Sequence, residues 1–211
     1  METTRNDERA GVLAADARHG ERHRVTAESD VFVACALEGG AVEVATGLPF
    51  FDHMLAQLGR HGGIGLVVRT TGDLAVDAHH SVEDTGITLG EALKAALGDK
   101  AGVRRFSSVA IPLDEALVEV ALDLSGRPYL HYDVALAADA APLGSPGFEP
   151  QLAEEFFRAL VTSAGFTLHL TARRGRNTHH LLEASFKAFA RALRDAVRVE
   201  GNTIPSTKGV L

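Results

Sequence analysis

Two segments of the chain carry the same two histidines and the same glutamate one hundred residues apart, His79-His80-Ser81-Val82-Glu83 and His179-His180-Leu181-Leu182-Glu183. Residues four apart on a helix share a face, so His79 with Glu83, and His179 with Glu183, each aim at one point. His80 and His180 sit one step around and point elsewhere. Each segment therefore offers an imidazole and a carboxylate to one metal ion and a second imidazole to another. Such donors suit Mn, Fe, Zn or Ni and do not suit Ca or Cu(I). A single copy reads most simply as the polar start of a solvated helix. The second copy argues against that, because a solvated surface has no reason to repeat in phase with a repeated apolar stripe. A further ligand is His53, in Asp52-His53-Met54. The corresponding place in the second half is Glu155, beside Glu154. His53, His79, His80, Glu83, Glu155, His179, His180 and Glu183 are then enough for two octahedral sites that keep open positions.

The elements that must carry these residues repeat as well. Val82, Leu89, Leu93 and Leu97 match Leu182, Phe189, Leu193 and Val197 at helical spacing, so each motif opens an amphipathic helix. Upstream lie helix-like segments 48–62 and 149–164, closed by Gly62-Gly63 and Gly165, each followed by a strand-like run, 64–70 and 166–171. Two β-rich runs precede each, 31–37 with 41–46 and 117–124 with 129–136, with turn signals at Gly39-Gly40 and Gly126-Arg127-Pro128. The sequence predicts an α+β fold. It is a duplicated strand-strand-helix-strand-helix unit, whose hairpin and third strand form a sheet with both helices on one face. The expected division is a flexible N-terminus over 1–20, a first half over 21–105, a second half over 106–200 and a tail over 201–211. Residues 137–150 read as a loop.

Composition bounds the function. Hydrophobic residues make up 45% of the 211 residues and charged residues 23%, as in ordinary globular proteins. A net charge of −7 argues against general nucleic-acid binding, while leaving room for a local basic pocket. The lone Cys35 lies in an apolar run, reads as a small core residue, and permits neither an intrachain disulfide nor a thiolate metal site. No signal-like or membrane-spanning stretch is evident, so a cytoplasmic protein without membrane or nucleic-acid partners is expected.

The motifs also resemble a known family. Phe50-Phe51-Asp52-His53-Met54-Leu55, Asp77-Ala78-His79-His80-Ser81-Val82-Glu83-Asp84, Leu122-Asp123-Leu124-Ser125-Gly126-Arg127-Pro128, Phe186-Lys187-Ala188-Phe189-Ala190-Arg191-Ala192-Leu193 and Pro205-Ser206-Thr207-Lys208-Gly209 are similar to segments of imidazoleglycerol-phosphate dehydratase, in the same order. The resemblance implies a lyase of histidine biosynthesis that dehydrates D-erythro-imidazole glycerol phosphate to imidazole acetol phosphate. It implies two Mn2+ per active site, a ribosomal protein S5 domain 2-like unit in duplicate, and trimers that build a 24-subunit shell with shared sites. It assigns His53, His79, His80, Glu83, His179, His180 and Glu183 as ligands. Many relatives have His where this chain has Glu155. Glu28 matches a family glutamate at the substrate and is expected as acid or base. His53, Glu83 and Glu183 are expected to act in catalysis as well as in metal binding. Arg105, Arg127, Lys187, Ser206, Thr207 and Lys208 are expected at the phosphate, with Gln57, Arg60 and His61 lining the same pocket. Lys187 belongs to a basic helical stripe with Arg191, Arg194 and Arg198 that otherwise reads as a solvated face.

The reaction fits these residues. The proton to be lost is not acidic at the outset, since no carbonyl adjoins it. If both ring nitrogens meet metal ions, the imidazole can be held as imidazolate. Its electrons then expel the neighbouring hydroxyl to give a diazafulvene, and the next C–H becomes acidic. Two other classes remain open at this stage: a dinuclear metallohydrolase, and a metal-bridged assembly protein without catalysis. The first would want bridging Asp ligands at the motifs. The second leaves Arg105, Arg127 and the Ser206–Lys208 tail without a purpose.

Overall fold

The computed structural model describes residues 18–211. The expected flexible N-terminus therefore falls outside the described residues up to position 17, and a strand begins at His19. The elements are β1 (His19–Val25), β2 (Ser29–Ala36), β3 (Val42–Ala45), α1 (Pro49–Gly62), β4 (Gly65–Gly72) and α2 (His79–Leu97). They recur as β5 (Phe106–Leu113), β6 (Ala116–Asp123), β7 (Tyr129–Asp133), α3 (Leu152–Ala164), β8 (Thr167–Arg174) and α4 (Thr178–Ala196). The α+β duplication is as expected, with both helices of each half on one face of its sheet, but each half carries one more strand at its start. The sequence HGERHRV of β1 hides its strand, because only Gly20 in it is buried. β5 was concealed by its position between the halves, where its half-buried alternation passes for a linker.

The pairing also corrects the hairpin expected from the Gly39-Gly40 signal. The two sheets have the orders β1-β2-β4-β3 and β5-β6-β8-β7. β3 does not return along β2. It crosses to the far side of β4 and pairs with it in parallel, Val42 beside Leu66. A parallel pair needs a crossover, and α1 supplies it as the connection of a β3-α1-β4 unit. The same holds for β7, α3 and β8.

The halves join through their helices. α2 lies on β1 and β2, and α4 on β5 and β6. α1 of the first half packs on α4 of the second, while α3 of the second packs on α2 of the first. The four helices are thus enclosed between two sheets, over a continuous core. Phe51 of α1, Phe156 and Phe157 of α3, and Phe186 and Phe189 of α4 are all buried there, with ring centroids 4.9–5.6 Å apart along the chain of contacts. Each such side chain contributes about 1.5–3 kcal/mol by burial. Phe148 joins them, stacked on Phe51 at 5.6 Å. It comes from the segment read as a loop and is held there by paired backbone hydrogen bonds with Leu143. Cys35 is fully buried, and burial pushes its thiol up to about 12.

α2 and α3 approach most closely where α2 has no side chains. A Cβ on Gly86 would lie 2.8 Å from the carbonyl oxygen of Phe156, and one on Gly90 2.5 Å from that of Leu160. At the start of α4, Glu115 in the β5–β6 turn fastens helix to sheet. Its carboxylate accepts hydrogen bonds from the backbone N–H of Arg176 (3.0 Å) and Asn177 (2.8 Å), and from His180 Nδ1 (2.8 Å). The His180 bond first, then the two backbone bonds, bring its pKa down to about 2.

Two outcomes follow. Gly90→Ala gains helix propensity but must push two backbones apart, so the net loss is about 1–3 kcal/mol, read as a lowered urea midpoint. A carboxylate with a depressed folded pKa stabilises the fold above its unfolded value and loses that contribution as pH falls toward the folded one. The Tm of the metal-free protein should therefore drop between the ordinary 4.5 and about 2 more steeply than that of Glu115→Gln. Equal slopes would mean that Glu115 does not hold the start of α4.

Candidate functional site

α1 and α4 run side by side in the same direction, with His53 beside His179 near their starts and Gly62 beside Ala190 further along. The helical repeat lines His53, Gln57 and His61 along one face of α1, and His179, Glu183 and Lys187 along one face of α4. The two rows meet. Glu183 Oε2 lies 2.9 Å from His179 Nε2 and 3.3 Å from His53 Nε2, and Lys187 donates to Oε1 at 2.6 Å. Gln57 Nε2 is 3.4 Å from His53 Nδ1, and the Phe50 and His179 rings meet in a T, with centroids 5.2 Å apart. Burial at α4 pushes the Glu183 pKa up, but the hydrogen bonds of Lys187, His179 and His53 outweigh it and bring it to about 2. At the far end of the row, burial and then the charges of Lys187 and Arg191 lower the pKa of His61.

Three donor atoms of His53, His179 and Glu183 lie within 4.8 Å of one another. Two imidazoles and an ionised carboxylate form a divalent-metal donor set. Cis ligands on bonds of about 2.1 Å lie about 3 Å apart, close to the spacings seen here. The residues therefore fit a metal ion, and the three donors come from both halves of the duplication.

The second histidines of the motifs are held apart from this group, as the helical geometry predicted. His80 Nδ1 faces both oxygens of Asp73 at 3.3 Å, with Glu28 at 3.7 Å. His180 Nδ1 faces Glu115, and its Nε2 is 3.8 Å from Asp114. The hydrogen bond to Asp73 in one case and to Glu115 in the other raises each pKa. A carboxylate on Nδ1 orients an imidazole so that Nε2 is offered to a metal. Asp73 and Glu115 were not singled out from sequence. Glu115 becomes visible only once β5 is recognised, because it then occupies the hairpin tip that Glu28 occupies in the first half.

His79, Glu83 and Glu155 do not converge as closely. His79 and Glu83 are half-buried on the first turns of α2, and Glu155 Oε2 lies 3.5 Å from Arg158 Nε on its own helix. Arg60 is exposed near the end of α1. The residues expected at the phosphate are partly gathered. Arg105, Arg127, Ser206, Thr207 and Lys208, with Pro205, line an open cavity of about 620 Å³. Arg105 adopts a positive φ of 74°. It pairs with Asp123 at 2.7 Å, donates to the Pro205 carbonyl at 2.7 Å and stacks over Phe106. Lys187 lies instead with the His53 group, and the two clusters have no residue in common. Among the described residues, no helix is long and apolar enough to cross a membrane.

Comparison with known proteins agrees with this layout. A family model described as imidazoleglycerol-phosphate dehydratase matches residues 46–193. A protein of that name from Anaeromyxobacter dehalogenans (strain 2CP-C) is 52% identical over 209 residues, spanning 99% of this chain and 100% of the relative. Another from Symbiobacterium thermophilum is 54% identical over 206 residues, 95% of each. The crystal structure of imidazoleglycerol-phosphate dehydratase from Staphylococcus aureus superposes with a TM-score of 0.77 at 36% identity, covering 86% of this chain and 99% of that one. That from Pyrococcus furiosus gives 0.77 at 37% identity, covering 90% and 100%. Fold, motif order and identity along nearly the whole length agree, and the chain belongs to the imidazoleglycerol-phosphate dehydratase family of hydro-lyases.

Proposed function

We propose that this chain dehydrates imidazole glycerol phosphate to imidazole acetol phosphate, a step of histidine biosynthesis, in the cytoplasm. The observation that carries the reading is the meeting of His53, His179 and Glu183 across the two halves, in a chain whose relatives are named for this reaction. The metal ligands are His53, His79, His80, Glu83, Glu155, His179, His180 and Glu183, and the ions are two Mn2+ per active site. Metal ions held by these residues would favour the imidazolate form of the substrate ring, the form that can expel the neighbouring hydroxyl toward a diazafulvene.

The remaining tasks fall to the chain itself. Glu28 stands on a hairpin tip beside His80, without a close hydrogen-bond partner for its carboxylate among the described residues, and carries the proton taken from carbon. Arg105, Arg127, Ser206, Thr207 and Lys208 hold the phosphate through charge-assisted hydrogen bonds. Gln57, Arg60, His61 and Lys187 line the approach along α1 and α4. The phosphate cavity and the His53 group share no residue within one chain, which supports a site completed by neighbouring subunits. The assembly proposed is a 24-mer built from trimers, with residues 201–211 closing on the active site.

The direct test supplies imidazole glycerol phosphate to the Mn-loaded protein and follows both ketone and inorganic phosphate. Ketone should form without phosphate release, and a chelator should abolish it until Mn is restored. Phosphate release without ketone would instead favour a metallohydrolase, and full turnover in chelator would defeat the metal reading. Deleting residues 205–211 removes charge-assisted contacts of about 1.5–3 kcal/mol each, so KM should rise about 10-fold or more with metal content unchanged. An unchanged KM would remove the tail from the phosphate site.

A further inference from the structure

The duplication supplies its own control at the two hairpin tips. Ala27-Glu28 lies between Thr26 and Ser29, which face each other across the first tip, and Asp114-Glu115 lies between Leu113 and Ala116 at the second. Both glutamates stand beside the second histidine of a motif. Their carboxylates are used differently. Glu115 is committed to three hydrogen bonds. Glu28 is 3.7 Å from His80, because Asp73 has taken that ring. After β8, Gly175 packs on Leu181 as Gly72 packs on Ser81, so the place matching Asp73 holds Arg176, which has no carboxylate to offer.

Beneath the tips the contrast is sharper. In the first half Asp84 is 6% exposed. It accepts hydrogen bonds from Ser29 Oγ at 2.6 Å and Arg24 Nε at 2.7 Å, with Thr26 Oγ1 at 3.4 Å. Thr26 Oγ1 in turn accepts the backbone N–H of Glu28 at 3.1 Å and of Ser29 at 3.0 Å. In the second half the same four places hold Ile111, Leu113, Ala116 and Ala184. Ile111 lies opposite Val118 as Arg24 lies opposite Val31, and Ala184 follows its motif glutamate as Asp84 follows Glu83. Apolar residues are therefore sufficient to close this hairpin on its helix. A buried carboxylate with its partners carries a desolvation penalty that the fold does not require.

We propose that Asp84 is a positioning residue for Glu28, fixing the backbone of the 26–29 turn through Thr26, Ser29 and Arg24 so that an uncommitted carboxylate stands beside His80. The proposal rests on the reading of Glu28 as the proton carrier. In the second half the hairpin glutamate serves as a strut, and there the network is absent.

The test compares kcat, KM, metal content and Tm for the Mn-loaded wild type, Glu28→Gln, Asp84→Ala and the double variant. A misplaced catalytic group loses rate rather than affinity, so Asp84→Ala should lower kcat about 10- to 100-fold. KM and metal content should not change. In the Glu28→Gln background the same substitution should change kcat by less than about two-fold, since its effect runs through Glu28. An equal loss in both backgrounds, an unchanged kcat, or loss of metal would overturn the proposal. Full turnover by Glu28→Gln would overturn it together with the proton-carrier reading, and so tells the two failures apart. Replacing the network by the second half's residues (R24I, T26L, S29A and D84A together) guards against simple unfolding. That variant should keep its Tm within a few degrees and show the same loss of kcat; wild-type kcat in it would contradict the proposal.

Discussion

The structure depends on one packing choice: the helices of each half bury their apolar faces against helices of the other half. Were α1 to pack on α2 and α3 on α4, each half would close on itself and His53 would never reach His179. The aromatic cluster of Phe51, Phe148, Phe156, Phe157, Phe186 and Phe189 draws on both halves. The same contact that forms the core thus assembles the donor group. His53, His179 and Glu183 stand at the entrance of the α1–α4 seam, where apolar packing gives way to polar side chains.

Duplication then supplies two versions of each part, and their differences carry information about function. The α2–α3 pair is drawn together by Gly86 and Gly90, where α4 has Phe186 and Ala190 against its neighbours. The two helix pairs are therefore not equivalent in spacing, and their donor residues are not equally gathered. The hairpin tips diverge in a complementary way. One glutamate is tied to a helix start, while at its counterpart Asp73 holds the neighbouring histidine and Asp84 bonds the turn below.

Much of this was legible in the sequence because it rests on local periodicity. The helical spacing of His53, Gln57 and His61, and of His179, Glu183 and Lys187, places each row on one face without knowledge of the fold. The repeat of motif and apolar stripe disclosed the duplication. What escaped was non-local. β1 has one buried residue in seven, so no apolar alternation announces it. The Gly39-Gly40 turn signal was real, but β1 and β4 occupy both edges of β2, so β3 finds its partner only on the far edge of β4. Phe148 enters the core from a segment rich in proline and glycine. Asp73 and Glu115 act only through tertiary proximity to histidines distant along the chain or across a loop.

The seam between the halves is the metal centre we propose. Anomalous diffraction at the Mn edge from crystals of the Mn-loaded protein tests it most directly. An anomalous peak is expected within bonding distance of His53 Nε2, His179 Nε2 and a Glu183 oxygen. A Mn-loaded crystal with no peak at that seam, or with peaks only elsewhere, would contradict it.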